Sequence, residues 1–264
     1  MRYGMLLGHE RAGTNLLKNI LNTSAGFRCE GEVCKIETEE ERSSARNFFN
    51  YRLLEIKREP KFAFPIRANQ DELIRGYLAR LGELNGRCQY TIVDVKYSHL
   101  HNFNIFWTSN SARPHLLEFA HANDIRVVHL YRKQALLAVL SNELAIERRV
   151  WNTSSKEKLE DRRIVVSLDR VLRDTTKLFE WQMEMKEHCS GLDHLELTYE
   201  ELMYQGELAP STSEKLSRYF EVDPDWDPNP SLLKVSPPPE QFVVNLDELR
   251  RHFERNGAES LWCI

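Results

Sequence analysis

The sequence predicts an α/β protein with three layers, α/β/α, built on a central parallel sheet. Four short apolar runs have the length and composition of buried strands, and segments with helical spacing separate them. This alternation favours parallel strands, because each intervening helix covers one face of the sheet as the chain returns. The predicted strands are residues 3–7, 90–95, 126–131 and 194–198, with 164–168 as a weaker fifth.

Composition predicts one folded domain over residues 1–264. Hydrophobic residues make up 41% of the chain and charged residues 29%, a balance typical of globular proteins. The formal charge of -4 argues against a nucleic-acid partner, which usually selects a basic excess. No apolar run approaches the ~20 residues that span a membrane, and the first residues do not resemble a signal peptide, so we expect a cytoplasmic protein. The five cysteines lack metal-site spacing and predict neither zinc nor a disulfide framework.

Two amphipathic helices are predicted beside the later strands, since apolar residues there recur every three or four positions. The first face consists of Leu136, Leu137, Leu140 and Leu144, and the second of Val171, Leu172, Thr175, Leu178, Phe179 and Gln182.

Three other stretches interrupt the alternation. A charged, helical insertion covers about 35–89, with helices expected at 39–57 and 71–84, and residues 97–113 are loop-like and rich in aromatic and histidine residues. A proline-rich strap covers about 223–240 and cannot be regular helix. Beyond it, a last helix over 245–255 is expected to be capped by Asn245, with Glu248 at the capping-box position.

The loop that follows the first strand is the most informative motif. Gly8 and Gly13 have the spacing of a nucleotide-binding phosphate loop, G-x-x-x-x-G-K-[ST], and a helix start beyond them suits an anion. Thr14 and Asn15 replace the lysine and the hydroxyl residue, and the cation of the loop is Arg11. This change argues against a metal-bound nucleoside triphosphate. The alternative is an ordinary first strand and helix in which Gly13 is a packing glycine.

A second anion contact is predicted at the end of the strand 126–131. Arg132 follows this strand, so it faces the same sheet edge as the first loop, and its planar guanidinium suits a phosphate. Ser141 lies in the helix that follows. The alternative is a surface arginine at a strand end.

Together these segments resemble the sulfotransferases that use 3'-phosphoadenosine 5'-phosphosulfate (PAPS). Residues 11–15, the stretch from 128–132 to 141–142, and residues 197–202 carry the resemblance. Residues 30–33 and 95–98 look like segments of the bacterial carbohydrate sulfotransferases, the Nod-factor and trehalose type.

The resemblance implies the P-loop-like sulfotransferase fold and a PAPS site. In that family the first segment binds the 5'-phosphosulfate, and the arginine and serine of the second bind the 3'-phosphate. The third segment, with Tyr199, lies on the adenine side, and Lys234 of the strap is a further candidate for the 3'-phosphate. The residues implied for PAPS are Arg11, Ala12, Gly13, Thr14, Asn15, Arg132, Ser141, Tyr199 and Lys234. Ala12 replaces a frequent serine and Asn15 a frequent hydroxyl residue.

The implied reaction moves a sulfuryl group to a hydroxyl of a carbohydrate, glycolipid or other small acceptor, and it needs no metal. Arg11 would balance charge on the sulfonate and the leaving phosphate. Glu32 is the candidate base, with Glu30 and His99 as alternatives. Lys96 either faces the site or is a strand-terminal lysine in water. Two other classes stay open: an atypical P-loop kinase or nucleotide-binding protein, and a PAPS-binding relative without catalysis.

Overall fold

The protein is an α/β structure in which helices pack on both faces of one five-stranded parallel sheet. The computed structural model describes residues 2–106, 112–150, 162–223, 225–229 and 237–262. The strands of the sheet are β1 (Arg2–Gly8), β2 (Phe27–Glu32), β3 (Tyr90–Lys96), β4 (Arg126–Tyr131) and β5 (His194–Thr198). The predicted α/β class and central parallel sheet are confirmed.

Eleven α-helices are found in the described residues, and short 3-10 helices occupy Pro60–Ala63, Tyr97–Phe103 and Glu259–Leu261. The α-helices are α1 (Thr14–Leu21), α2 (Glu39–Ser43), α3 (Phe48–Arg58), α4 (Arg67–Asn85), α5 (His115–Ala122), α6 (Ala135–Arg148), α7 (Leu168–Cys189), α8 (Tyr199–Leu202), α9 (Pro210–Phe220), α10 (Pro239–Phe242) and α11 (Leu246–Arg255). A small hairpin pairs β6 (Met203–Tyr204) with β7 (Glu207–Leu208). Within the described residues, no helix is both long enough and apolar enough to cross a bilayer.

The alternation of side chains along β1 divides the core between the two faces of the sheet. Met5 and Leu7 pack on one face with residues of α4, α5 and α7. Leu6 points to the other face, where it joins Leu17 of α1 and Phe220 of α9. A third apolar cluster joins α6, α7, α10 and α11. The sheet is therefore covered on both sides, as its continuous apolar strands require.

Strand order brings the ends of β1, β3 and β4 to one edge. The order is β2-β3-β1-β4-β5, so the chain builds one side of β1 first and then crosses to the other. At the carboxyl end of β1, Gly8 is in register with Lys96 of β3 and with Leu130 of β4. Such a reversal of strand order leaves a crevice at the carboxyl edge of the sheet, where α/β proteins bind ligands.

Strand β2 was not among the predicted strands, because its sequence alternates polar and apolar residues instead of being continuously apolar. Phe27 pairs with Tyr90 at its start, and Glu32 pairs with Asp94 at its end, after a register shift that follows Cys29. The segment lies at the edge of the sheet, where one side of a strand can stay polar. Glu32 is therefore the last residue of an edge strand.

Several local predictions need correction. The predicted helix 39–57 is two helices, because the side chain of Asn47 accepts hydrogen bonds from the backbone N–H groups of Phe49 (2.8 Å) and Asn50 (3.2 Å) and starts α3. The candidate strand 164–168 is wrong, since Ile164 makes one isolated bridge. Residues 97–113 do not start as a loop, because Tyr97–Phe103 is a 3-10 helix. The predicted face of α7 is confirmed apart from Phe179, whose side chain is 41% exposed.

The last helix is confirmed as α11 with Asn245 at its N-cap position, but the side chain of Asn245 makes no capping hydrogen bond. The side chain of Asn245 pairs with the backbone of Val166, accepting from its N–H (3.0 Å) and donating to its carbonyl (2.9 Å). The side chain of Asn245 therefore joins the start of α11 to the segment before α7. Of the predicted strap, residues 224 and 230–236 lie outside the described residues, and Lys234 is among them.

Candidate functional site

The loop between β1 and α1 needs both of its glycines. A Cβ on Gly8 would lie 2.6 Å from the carbonyl oxygen of Leu130 on the neighbouring strand, so no side chain fits there. Gly13 has a φ of 97°, and a Cβ on it would lie 2.6 Å from Cδ2 of Tyr199. Gly13 is the N-cap residue of α1 and has no side chain that could cap it. The first N–H groups of the helix, at the positive end of its dipole, therefore lack a side-chain partner at the N-cap. Gly13 is thus a packing glycine and also the residue that precedes the uncapped N-terminus of α1.

Arg11 and Ser141, predicted as separate anchors, are in direct contact. Nε of Arg11 donates a hydrogen bond of 3.1 Å to Oγ of Ser141, which is buried in α6. Arg11 has a φ of 66°, a conformation that non-glycine residues seldom adopt and that occurs preferentially at functional sites. Burial lowers the pKa of Arg11; Tyr199 opposes this shift, and the neighbouring charge of Arg132 adds to it. Each of these two neighbouring guanidinium groups is suited to bind a negatively charged group of a ligand, because an anion favours their charged forms.

Arg132 is a buried residue and not a surface arginine at a strand end. Its side chain follows β4 and is 8% exposed by residue. The guanidinium carbon lies 4.6 Å from the ring centroid of Tyr199, and Nε lies 3.9 Å from Oε1 of Glu200. Tyr199 therefore contacts both Arg132 and the first loop, since the same ring packs against Gly13.

Glu200 holds the turn that presents Arg132. Its carboxylate accepts hydrogen bonds from the backbone N–H groups of Lys133 (3.1 Å) and Gln134 (3.3 Å), immediately before α6. The sequence carried a weak signal for this role, an acidic residue soon after the end of the last core strand, and did not predict it.

A buried histidine joins the loop to the end of β4. Nδ1 of His9 lies 2.5 Å from the carbonyl oxygen of Glu10, and Nε2 accepts from the N–H of Arg132 (3.3 Å) and the amide of Gln182 (3.0 Å). The same amide donates to the carbonyl of Arg132 (2.9 Å). Burial lowers the pKa of His9 to about 3, so the ring is neutral and its contacts place the proton on Nδ1. Neither His9 nor Gln182 was predicted to act here, although a glutamine on the apolar face of a helix was a usable signal.

Lys96 is buried against the loop. It is 2% exposed, and its Nζ donates to Oγ1 of Thr14 (2.5 Å) and to both carboxylate oxygens of Asp94 (2.9 and 3.1 Å). Nζ of Lys18 lies 3.4 Å from the same carboxylate. The interpretation of Lys96 as a lysine in water is therefore wrong. Asp94 was missed, although a single acid inside the apolar run of β3 is the sequence signal of a buried ion pair.

Glu32 lies at the same edge, at the end of β2. Its Oε1 is 3.8 Å from Nζ of Lys96, and its side chain is 26% exposed. Burial raises the pKa of Glu32; the charge of Lys96 opposes this shift, and the neighbouring carboxylate of Asp94 adds to it. A partly exposed carboxylate with a raised pKa beside an ammonium group is suited to accept a proton.

The two alternative bases have different surroundings. Glu30 is buried, and its carboxylate forms an ion pair with Arg46 of the helical insertion, not with a residue of the loop. His99 is half-buried in the 3-10 helix after β3, and burial lowers its pKa. Its neighbour Ser98 donates a hydrogen bond of 3.0 Å to the carboxylate of Glu10 in the loop. His99 thus has a lowered pKa and follows a residue bonded to the loop, and Glu30 is engaged elsewhere.

The structure brings most of the predicted residues to one edge of the sheet. Ala12 is fully buried and can offer a ligand its backbone alone, whereas Asn15 is half-buried in the first turn of α1. Among the described residues, no cluster of three or more His, Cys, Asp or Glu side chains is arranged to hold a metal ion. The residues that converge are Arg11, Ala12, Gly13, Thr14, Asn15, Glu32, Lys96, Arg132, Ser141 and Tyr199. Lys234 lies outside the described residues.

Comparison with known proteins adds no assignment, since no protein-family model matches this chain and no curated protein matches its sequence. A helix start, two guanidinium groups and a buried ammonium group converge at the candidate site, a combination that binds phosphate or sulfate esters. A carboxylate with a raised pKa stands beside them.

Proposed function

We propose that this protein is a sulfotransferase that moves a sulfuryl group from PAPS to a hydroxyl of a carbohydrate, glycolipid or other small acceptor. The observation that supports it most is the contact between Lys96 and Thr14. Thr14 occupies the position at which an ordinary nucleotide loop carries its lysine. The neighbouring strand supplies an ammonium group at that point, and Asn15 replaces the hydroxyl residue that binds Mg²⁺ in such loops.

The anchors divide between the two phosphate groups of the donor. The 5'-phosphosulfate binds at the start of α1, with Arg11, Thr14 and Lys96 around it. The 3'-phosphate binds between Arg132 and Ser141. The hydrogen bond between Arg11 and Ser141 supports this division, since it makes the two positions adjoin. Tyr199, which packs on Arg132, is the candidate residue for contact with adenine.

In the reaction, the acceptor oxygen attacks sulfur while its proton passes to the carboxylate of Glu32. The bond between sulfur and the oxygen of the 5'-phosphate breaks, and its electron pair stays on that oxygen. Adenosine 3',5'-bisphosphate leaves with this charge, which Lys96 and Arg11 balance. Glu32 is favoured over Glu30 because it lies 3.8 Å from Lys96, whereas Glu30 is paired with Arg46. In this proposal no step requires a metal.

Isothermal titration with adenosine 3',5'-bisphosphate, and separately with ATP and Mg²⁺, tests the proposal. We expect the bisphosphate to bind and ATP with Mg²⁺ to bind far more weakly. Arg132→Ala should weaken bisphosphate binding roughly 10- to 100-fold, the usual effect of losing a charged hydrogen bond. Lys133→Ala is the matched control, because Lys133 is the next residue along the chain and its side chain is 58% exposed.

Three results would decide against the proposal or limit it. A folded protein that does not bind the bisphosphate excludes PAPS as donor. Tight binding of ATP that depends on Mg²⁺ points to an atypical P-loop kinase. Bisphosphate binding without transfer from labelled PAPS to any acceptor in a broad panel identifies a relative that has lost catalysis.

A further inference from the structure

A cavity of about 370 Å³ lies beside the loop, between the 3-10 helix that follows β3 and the helix α7. This volume is within the usual range of small-molecule sites. Its wall combines aromatic rings with hydrogen-bonding groups. The residues that matter here are Tyr97, Ser98, His101, Trp181, Glu184 and His188.

Residues of the cavity wall adjoin residues of the candidate anion site in the chain. Ser98 lines the cavity, and its hydroxyl is the donor to the carboxylate of Glu10 in the loop. Tyr97 directly follows Lys96. On the other side, Trp181 directly precedes Gln182, whose amide bonds to the loop and to the end of β4. The hydrogen bond of Ser98 to Glu10 is thus the side-chain contact that joins the wall of the cavity to the loop.

The polar groups of the cavity favour a ligand rich in hydroxyl groups. Nε2 of His188 lies 3.4 Å from Oε1 of Glu184, one turn apart on α7. The carboxylate can accept two or more hydrogen bonds, and an imidazole can donate or accept one. A purely aliphatic ligand would cover these groups without replacing their bonds to water, which costs free energy. Tyr97 is buried and packs against His9 and His129. Trp181 is half-buried with Nζ of Lys177 4.5 Å from its ring centroid, and it offers the apolar ring surface against which the carbon face of a sugar can pack.

We propose that this cavity binds a sugar ring of the acceptor, with one face on Trp181 and hydroxyl groups on Glu184 and His188. The inference rests on the proposed function in so far as the sugar is the acceptor. The helix α7 contributes Trp181, Glu184, Met185 and His188 to the wall.

Titrations without the donor test the inference directly. The probes are methyl α-D-glucopyranoside and N,N'-diacetylchitobiose, with 4-nitrophenol, a phenol, for comparison. We expect at least one sugar to bind and Glu184→Gln to weaken it at least fivefold. Trp181→Ala should weaken it further. Matched controls are Glu187→Gln and Phe179→Ala, since both residues are exposed positions of the same helix.

Equal sugar binding in Glu184→Gln and the unmodified protein would overturn the inference. So would binding of 4-nitrophenol with no sugar binding. Bisphosphate titration of the same samples separates this inference from the proposed function. Bisphosphate binding without sugar binding means that the cavity is not a sugar site, and sugar binding without bisphosphate binding means that PAPS is not the donor.

Discussion

Nζ of Lys96 lies 2.5 Å from Oγ1 of Thr14, although 82 residues separate them in the chain. Thr14 stands where a nucleotide loop carries its lysine, and Lys96 of the neighbouring strand places an ammonium group at that position. The parallel register that pairs Gly8 with Lys96 produces this contact. Asp94, two residues earlier on the same strand, holds the ammonium group from the other side.

Replacing Lys96 with methionine should remove the charge that balances the leaving phosphate. We expect the transfer rate to fall about 100- to 1000-fold, as when one charge-stabilising donor is removed from an active site. The measurement is turnover of labelled PAPS at saturating acceptor. The variant also removes a positive charge that compensates the buried carboxylate of Asp94. Breaking a buried ion pair by removing one partner costs about 3–5 kcal/mol of stability.

A double variant separates these two effects. Lys96→Met with Asp94→Asn removes both charges, so its melting temperature should recover most of the loss while its rate stays low. Recovery of the rate together with the stability would mean that Lys96 serves the fold alone.

Substituting Gly13 with alanine tests whether the loop needs this glycine for space as well as for conformation. Gly13→Ala should be strained by a φ of 97° and should displace the ring of Tyr199, so bisphosphate binding should be lost. Gly206→Ala is the matched control, since Gly206 has a φ of 92° with open space around it. It should lose about 1–2 kcal/mol of stability from conformation alone and keep its binding. Equal effects of the two substitutions on binding would contradict the role of Gly13.

The pH dependence of transfer reports the base. Burial raises the pKa of Glu32, so we expect the rate to fall, as pH is lowered, at a pH above the usual range of a glutamate. Glu32→Gln should lower the rate at least about 100-fold and remove this acid limb, while bisphosphate binding is retained. Measurements are rate profiles between pH 4 and 9. If the acid limb disappears in Glu30→Gln or His99→Gln and persists in Glu32→Gln, the assignment to Glu32 is wrong.

Acid should destabilise the fold through two buried histidines. Burial lowers the pKa of His9 to about 3 and that of His129 to about 4, whereas both bind a proton near pH 6.5 when the chain is unfolded. The unfolded state therefore binds more protons below pH 6.5, and stability falls as pH falls from 6.5 toward 4. Between pH 7 and 5 we expect a loss of about 2 kcal/mol for each histidine.

Chemical denaturation at pH 7 and pH 5 measures this loss. His129→Gln should reduce the loss by about half, because it removes one of the two titrating groups. Glutamine can still bond to the hydroxyl of Tyr97, which lies 2.6 Å from His129 Nε2, so the native packing should be kept. His121→Gln, at an exposed position, should leave the loss unchanged. An unchanged loss in His129→Gln would assign the acid sensitivity to other groups.

Much of the fold was predictable because its signals are local. The strands β1, β3 and β4 are mainly apolar, with single polar residues such as Asp94 and His129, as buried parallel strands usually are, and the edge strand β5 keeps Leu195 and Leu197. Strand β2 was missed because an edge strand can alternate polar and apolar residues, and that pattern resembled the charged helices that follow. Asn245 was misassigned because the same amide can cap its own helix or bond to a distant backbone, and the sequence does not distinguish these.

The sequence by itself determined the glycine-bounded loop, the helix start behind it and the alternation of strands and helices, since each depends on residues close together in the chain. Tertiary structure decided which groups complete the loop. Lys96 reaches Thr14 because β3 lies beside β1, and Glu32 stands near Lys96 because β2 lies beside β3. His9 and Gln182 meet through the packing of α7, a contact across 173 residues. Strand order and helix packing set these distances, and no local pattern encodes either.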